Sequence, residues 1–440
     1  MRAEPVAAVS RPTLAGARRF LRDALAKGSE VVTFRAPVVA DVARFWGRGD
    51  DAVLWDPPDG LSFAGVGTAR VLAARGPERF MAIDPRAIAG RQRVEGGLAP
   101  PPPRLFGGFA FEIGGAEHPP WDAFGDGLFV LPRWVYGVGD GLAWLRYHRS
   151  EGDAVAELEG LWRRLLGDDP VPAVARPQVV EAPSPTLWRR EVEAIGAAIE
   201  AGHLAKAVAA TRATLAFERP LDPRVVLRRL GRRFAGCTRF AIRRGGTTFL
   251  GATPERLLSR RGEVLRTEAL AGSAAPGCED ALRASRKDRH EHDLVVDAIV
   301  DALAPFTTAL SRPAEPQLHR LPNVVHLRTP IEARVGATPT LRLVQALHPT
   351  PAVGGVPTVS ALRLIAEHEA PRGWYAAPVG WLDTEGDGVF AVGLRSGVLA
   401  ARRAWAFAGC GIVAGSEPDA ELDEARMKLR AFLGALSEEG

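Results

Sequence analysis

The chain has 440 residues, of which 46% are hydrophobic and 25% charged, and its formal net charge is +4. This length and composition are typical of a folded protein with one large unit or two to three ordinary domains. The small charge, without a dense lysine and arginine tract, argues against nucleic-acid binding. Three cysteines fit neither a disulfide framework nor zinc-ligand spacing. No apolar run approaches the ~20 residues of a membrane span and no signal peptide is evident, so we expect a cytoplasmic protein without a membrane segment.

The first third of the chain alternates apolar runs with turn residues. We predict helices over 13–27 and 153–166, and strands over 31–35, 52–55, 61–67, 106–111, 127–131 and 141–147. A proline-rich segment without apolar periodicity, 168–186, then divides an N-terminal part, 1–167, from a catalytic part, 187–436. We interpret this segment as an extended linker or crossing segment.

The catalytic part groups strands and helices. Helices are predicted over 187–201, 285–303, 338–346, 358–369 and 418–436, and strands over 206–216, 238–243, 247–251, 263–267, 378–382, 389–395 and 404–408. Runs of strands with helices grouped on them predict an α+β protein with largely antiparallel pairing.

Acidic residues mark two of these helices. Asp288 and Glu291 lie one turn apart in the helix over 285–303, and Glu421 and Glu424 have the same spacing in the last helix, where Lys428 shares their face. If the two helices face each other, four carboxylates can hold a hard divalent cation and leave waters for a substrate carboxylate, as Mg²⁺ sites usually do. The alternative is an ordinary exposed pair of Glu421 and Lys428, which contributes under ~1 kcal/mol.

Other polar residues stand at the ends of apolar segments. Glu268 ends the strand over 263–267 and precedes a small-residue turn, 269–273. Lys206 lies in an apolar stretch, where burial would make it a usable base, unless it reaches outward to solvent. Arg395 ends the strand over 389–395 and offers a planar fork to a carboxylate. The loop 409–415 can direct backbone amides at an anion, although it lacks a P-loop pattern.

Eight motifs resemble the chorismate-utilising enzymes, in that family's order. They are Gly-Ala-Thr-Pro-Glu-Arg-Leu at 251–257, Thr-Glu-Ala-Leu-Ala-Gly-Ser at 267–273, Ser-Arg-Lys-Asp at 285–288 with Glu-His at 291–292, Asn-Val-Val-His-Leu at 323–327, Leu-His-Pro-Thr-Pro-Ala-Val-Gly-Gly at 347–355, Arg-Gly-Trp-Tyr at 372–375, Gly-Asp-Gly at 386–388 with Phe-Ala-Val at 390–392 and Arg395, and Ala-Gly-Cys-Gly-Ile-Val at 408–413. The resemblance implies a single large two-layered α/β sandwich with a deep central cleft and no independent N-terminal domain. Within the family it implies the isochorismate-forming branch, in which Mg²⁺-dependent isomerisation adds water at carbon 2 of chorismate and removes the carbon 4 hydroxyl.

The resemblance also implies a role for each matching residue. Lys206 would activate the incoming water, and Glu268 would protonate the departing hydroxyl. The implied magnesium ligands are Glu291 and Glu424, with Asp288 and Glu421 beside them. The implied substrate-binding residues are Gly272, Ser273, His326, Ala352, Tyr375, Arg395, Gly409, Gly411 and Lys428.

A few positions separate this chain from other branches of the family. Ala271 stands where aminodeoxychorismate synthases often have a lysine, and Ala352 stands where salicylate synthases tend to have a threonine. Thr211 and Val389 depart from the family's usual residues. We expect a monomer or weak homodimer without a glutaminase subunit. A salicylate synthase, a degenerate chorismate-binding module and a structural subunit stay open as alternatives, and the sequence does not specify whether the product feeds menaquinone, a siderophore or salicylate.

Overall fold

The computed structural model describes residues 12–47, 51–167, 177–321 and 324–437. Its helices are α1 Leu14–Ala26, α2 Ala154–Leu166, α3 Pro185–Glu200, α4 Pro223–Arg233, α5 Glu279–Ala284, α6 Arg286–Leu303, α7 Thr340–Leu347, α8 Thr358–His368 and α9 Pro418–Leu436. Within these ranges, every helix is too short or too polar to cross a bilayer.

The strands are β1 Val31–Arg35, β2 Ala52–Asp56, β3 Ser62–Ala74, β4 Gln92–Val94, β5 Arg104–Phe109, β6 Gly127–Gly139, β7 Leu142–His148, β8 Gln178–Glu181, β9 Lys206–Ala216, β10 Thr238–Arg244, β11 Thr247–Thr253, β12 Arg256–Arg261, β13 Val264–Ala274, β14 Ala309–Ser311, β15 Gln317–Leu321, β16 Val324–Arg334, β17 Gly355–Val356, β18 Pro378–Asp383, β19 Gly388–Val392, β20 Ser396–Ala400 and β21 Arg403–Ile412. They form one hydrogen-bonded network, in which β1 and β4 are parallel and the other described pairs are antiparallel.

Alternate side chains of the central strands enter two different hydrophobic cores. Phe240 of β10 and Phe249 of β11 belong to one core, whereas their neighbours Ala241 and Leu250 belong to the other. Successive strand residues point to opposite faces, so these strands are covered on both sides. The second core is closed by buried residues of four helices, among them Leu21 of α1, Leu158 of α2, Leu230 of α4 and Phe432 of α9. The layered α+β fold expected from the sequence is confirmed.

Strands of the N-terminal and catalytic parts pair directly. β2 pairs with β10, and β5 pairs with β18. The connection between the parts is not wholly extended, because α3 begins at Pro185, and its strand β8 pairs with β9. Residues 168–176 of that connection and Asn323 of the fourth motif lie outside the described residues. The domain boundaries therefore stay a prediction.

Several local predictions are wrong. Residues 269–273 form no turn, because β13 continues to Ala274 through a bulge between Ala271 and Ser273, where Gly272 has φ +75°. The range 409–415 is a loop only in its second half, since β21 runs to Ile412. The small residues of these segments are typical of turns, but pairing with neighbouring strands gives the segments an extended conformation.

Two further differences concern one helix and one strand end. β19 ends at Val392, before Arg395. Helix α4 was not predicted from the sequence, although its start has a clear signal. Asp222 is the N-cap and accepts a hydrogen bond from the Arg224 amide at 3.0 Å, and Pro223 is the first residue of the helix. An aspartate followed by proline is a typical helix start. The arginine-rich sequence of α4 lacked the long apolar stripe that identified the other helices.

Candidate active site

A central cavity of about 180 Å³ collects the predicted site residues from distant parts of the chain. Its wall includes fourteen residues expected from the sequence, namely Lys206, Gly272, Ser273, Asp288, Glu291, His326, Ala352, Tyr375, Arg395, Gly409, Gly411, Glu421, Glu424 and Lys428. They come from β9, β13, β16, β21, α6, α9 and the connections between elements. The pairing of β9 with β21 and of β13 with β16 brings these segments together.

Lys206 is buried at the start of β9. Its side chain is 1% exposed, and its Nζ donates a hydrogen bond to Oε1 of Glu291 at 2.8 Å. The outward-reaching lysine considered from the sequence is therefore excluded. Burial alone would raise the pKa of Glu291, but the charge and hydrogen bond of Lys206, with Lys428 and Lys287 nearby, hold that pKa below its ordinary value.

Gly411 makes room for this ion pair. A Cβ atom at this position would lie 2.7 Å from Oε1 of Glu291 and 2.8 Å from Cε of Lys206. These distances are shorter than carbon–oxygen and carbon–carbon contacts tolerate. A larger residue where β21 passes the two charged side chains would therefore have to displace at least one of them.

The four predicted acids all reach the cavity wall, two from α6 and two from α9. Glu424 pairs with Nζ of Lys428 at 2.7 Å, and Nζ of Lys287 lies 3.6 Å from Oε1 of Glu421. Potential ligand atoms of Glu421, Glu424 and Cys410 lie within 4.8 Å of one another. Burial, followed by the charge of Glu424, raises the pKa of Glu421, although its hydrogen bond with Ser416 opposes this. Neighbouring carboxylates on one cavity wall are typical of a site that a cation completes.

The β-bulge in β13 shapes the opposite side. It leaves Gly272 in the left-handed region, close to the first turn of α6, where an added Cβ would lie 3.2 Å from the Asp288 carbonyl oxygen. The next residue, Ser273, forms a hydrogen bond between its Oγ and Nδ1 of His326 at 2.9 Å. Burial, together with the charges of Lys428 and Arg395, lowers the pKa of His326 to about 3, so its ring is neutral.

Tyr375 and Arg395 complete the predicted substrate-binding wall. The Tyr375 ring stacks on Phe407 with centroids 5.4 Å apart, and burial raises the pKa of its phenol. Arg395 has φ +46°, a conformation uncommon for arginine. Its Nη1 lies 3.7 Å from Sγ of Cys237, and it forms no ion pair with a carboxylate of the described residues. A half-buried guanidinium without a carboxylate partner is suited to a carboxylate ligand.

Arg372 belongs to the motif at 372–375, and no role was predicted for it. The structure shows that it holds neighbouring segments together. It is 3% exposed and donates to the carbonyl oxygens of Val208 at 2.6 Å and Val353 at 2.7 Å. It also forms a bidentate pair with Glu369. Arg372 therefore ties the strand of Lys206 to the loop that contains Ala352.

Glu268 lies beside two arginines and is the one predicted site residue outside the described cavity wall. Its carboxylate binds Arg328 and lies 3.6 Å from Nη2 of Arg256, and Glu268 is absent from the described wall of the cavity. Glu255, which follows Pro254 after β11, lines the cavity instead and is 6% exposed. The acid role of Glu268 stays a prediction.

The surroundings of Glu255 favour its protonated form. Burial, followed by the charge of Glu268, raises the pKa of Glu255 to about 8, against the opposing effect of Lys206 and Lys428. Glu255 belongs to the motif over 251–257, for which no role was predicted at this position. Its position between two apolar strands, β11 and β12, could have identified it as a buried acid.

Comparison with models of known protein families identifies the family of this chain. The family described as "Chorismate binding enzyme" matches residues 35–437. This chain belongs to that family. The matched range contains every residue of the described cavity wall.

Curated relatives and solved structures extend this result. The chorismate-binding enzyme is 41% identical over 433 residues to the salicylate biosynthesis isochorismate synthase of Pseudomonas aeruginosa, covering 90% of this chain and 88% of the relative. It is 36% identical over 355 residues to the isochorismate synthase MenF of Bacillus subtilis, covering 77% and 75%. The structure of MenF, the menaquinone-specific isochorismate synthase from Escherichia coli, matches with a TM-score of 0.78 and 26% identity, over 95% of this chain and 99% of that one.

Proposed function

We propose that this chorismate-binding enzyme is an isochorismate synthase, an isomerase that converts chorismate into isochorismate. The observation that carries the proposal is one cavity lined by a buried lysine, Lys206, and a carboxyl group that is protonated at neutral pH, Glu255. The relatives described above, which are named isochorismate synthases, support the same reaction.

The reaction needs proton transfer at both ends, because water is a poor nucleophile and hydroxide a poor leaving group. Lys206 would accept a proton from the water that adds at carbon 2. The ring double bonds shift as the bond to the carbon 4 hydroxyl breaks. Glu255 would give its proton to that hydroxyl, which leaves as water. One water enters and one leaves, so the product is an isomer of the substrate.

The donor set of the cavity fits Mg²⁺. Asp288, Glu291, Glu421 and Glu424 offer carboxylate oxygens, which are the ligands this hard cation prefers. Cys410 is an unsuitable ligand, because its thiol is buried and donates to the Glu421 carbonyl oxygen. When bound, the cation would neutralise these carboxylates and polarise a carboxylate of the substrate.

The remaining wall residues would hold the two carboxylates of chorismate. Arg395, Lys428 and the Tyr375 hydroxyl supply donors, and the backbone amides of Gly272, Gly409 and Gly411 can add further hydrogen bonds. Ser273, His326 and Ala352 would border the ring. Because His326 is neutral and paired with Ser273, it contributes shape and a hydrogen bond rather than charge.

We further propose that the enzyme uses water and not ammonia, without a glutaminase subunit, and retains the enolpyruvyl group of its product. Ala271 supplies no lysine, and Ala352 supplies no hydroxyl next to the ring. Incubation of the purified protein with chorismate and Mg²⁺, followed by chromatography, should give an equilibrium mixture of chorismate and isochorismate. A coupled lactate dehydrogenase assay should detect little pyruvate, and pyruvate matching the chorismate consumed would identify a salicylate synthase instead.

A further inference from the structure

A second depression, here called the arginine crevice, lies on the side of the protein formed by α4. Its volume is about 770 Å³, and five arginines line it, namely Arg44, Arg224, Arg228, Arg232 and Arg239, with Asp41 and Asp56. Both aspartates bind Arg239, Asp56 through Nε at 2.6 Å and Asp41 through Nη2 at 3.1 Å. Both aspartates of the crevice are therefore already paired with an arginine.

Arg228 and Arg232 carry the unbalanced charge of this surface. Both are exposed, line the crevice and form no ion pair with an acid of the described residues. Arg224, in contrast, pairs with Asp222 at 2.6 Å. A concave surface with arginines that lack acidic partners concentrates anions, and the planar guanidinium suits phosphate and carboxylate oxygens.

The helix that presents these arginines contains no acidic residue. α4 runs from Pro223 to Arg233, and Arg224, Arg228 and Arg232 follow at intervals of four, so they share one face. Like charges at this spacing destabilise a helix by roughly 0.2–0.5 kcal/mol per pair. An anion in the crevice would remove that repulsion and stabilise α4.

A thin partition separates the arginine crevice from the central cavity. Phe234 and Cys237 line the crevice, whereas Arg395 lines the cavity. The guanidinium carbon of Arg395 lies 5.2 Å from the centre of the Phe234 ring, and its Nη1 lies 3.7 Å from Sγ of Cys237. The position of Arg395 therefore depends on the residues that end α4.

We propose that the arginine crevice binds a small polyanion, a metabolite carrying two or more phosphate or carboxylate groups, through Arg228 and Arg232. The negative charge of the bound polyanion attracts Arg395 across the partition formed by Phe234 and Cys237. This attraction weakens the binding of substrate by Arg395. The binding half of this inference is independent of the reaction, whereas the coupling half rests on the proposed role of Arg395 in binding chorismate.

Binding is tested by calorimetric titration of inorganic pyrophosphate into the full chain in metal-free buffer at fixed ionic strength. We expect saturable binding that weakens by about tenfold or more in the Arg228→Gln/Arg232→Gln double variant, since charge-assisted contacts are lost. The matched control is Arg19→Gln/Arg22→Gln, which removes two exposed arginines from α1 and should bind as the wild type does. Equal affinity in all three proteins, or loss of binding in Arg395→Gln alone, overturns the proposed site.

Coupling is tested by initial rates with chorismate at a fixed concentration of free Mg²⁺, because pyrophosphate also binds that cation. Pyrophosphate should raise KM for chorismate in the wild type and in the α1 control, and leave KM unchanged in Arg228→Gln/Arg232→Gln. Binding without any change in KM overturns the coupling. A protein that binds pyrophosphate but forms no isochorismate refutes the proposed function and leaves the anion site intact, so the two failures are distinguishable.

Discussion

Nζ of Lys206 and Oε1 of Glu291 lie 2.8 Å apart in a cavity wall where neither side chain is more than 17% exposed. The ion pair joins the proposed base to a proposed magnesium ligand. Removing one partner of a buried pair leaves an unpaired charge, which typically costs about 3–5 kcal/mol of stability.

The first prediction uses this pair. Lys206→Met should abolish turnover and lower the free energy of unfolding, because the Glu291 carboxylate loses its partner. Lys206→Met/Glu291→Gln should recover most of the stability and none of the turnover, since the charge is removed with the base. Urea unfolding and product chromatography measure the two effects. A double variant that is as unstable as the single one would contradict the pairing.

The second prediction separates the two candidate acids. Glu255→Gln should lower kcat by about 10² to 10⁴, the usual contribution of a general acid. Glu268→Gln should stay within roughly tenfold of wild type, which corresponds to at most about 1.4 kcal/mol, because its carboxylate faces Arg328 and Arg256. The measurement is kcat at saturating chorismate. The reverse order of effects would return the acid role to Glu268.

The third prediction concerns pH. The pKa of Glu255 is raised from 4.5 to about 8 in the folded protein, so the folded state binds the extra proton between these values. The free energy of unfolding should therefore fall as pH rises through this window, by at most about 1.4 kcal/mol per unit from this group. Glu255→Gln should lose that slope. Activity of the wild type should decline above pH 8, where Glu255 has no proton to donate, and a rate independent of pH up to 10 would argue against it.

The fourth prediction concerns the cation. Glu291→Gln and Glu424→Gln should each lose most of the activity, because a neutral amide is a poor ligand for Mg²⁺. The matched control is Asp423→Asn on α9, whose side chain is 76% exposed and pairs only with Arg426 among the described residues. It should keep wild-type activity. Full activity of the wild type in excess chelator would exclude the proposed cofactor.

The fifth prediction concerns Gly411. Gly411→Ala should reduce activity strongly, since the added methyl group would lie 2.7 Å from Oε1 of Glu291 and force the ion pair apart. Gly196→Ala in α3 provides the control, because no atom lies within 4 Å of its added Cβ. It should raise stability by about 0.5–1 kcal/mol. Thermal melts and initial rates compare the two variants.

The sequence predicted the site better where residues lie on one element than where elements meet. The spacing of Asp288 with Glu291, and of Glu421 with Glu424, is fixed by helical geometry and was readable directly. Only the tertiary structure shows that the four acids line one cavity.

The choice between Glu255 and Glu268 shows the limit more clearly. Glu268 lies within β13 and Glu255 lies between β11 and β12, and their local sequences do not distinguish their roles. Strand pairing places Glu268 beside Arg328 and directs Glu255 into the cavity. Register over long sequence separations is not encoded in any short pattern. The contact between Arg395 and Cys237, which are 158 positions apart, could not be predicted from the sequence for the same reason.

The direct pairing of β9 with β21 has a consequence for how the protein is made. Gly411 pairs with Val208 across strands that are about 200 positions apart, and α9, with Glu424 and Lys428, follows still later. Contacts between such distant segments form slowly because a long loop must close first. During synthesis the ribosome must release the chain as far as α9 before the cavity can assemble. Partial chains would expose the apolar strand β9 without its partner, which makes them candidates for chaperone binding and proteolysis.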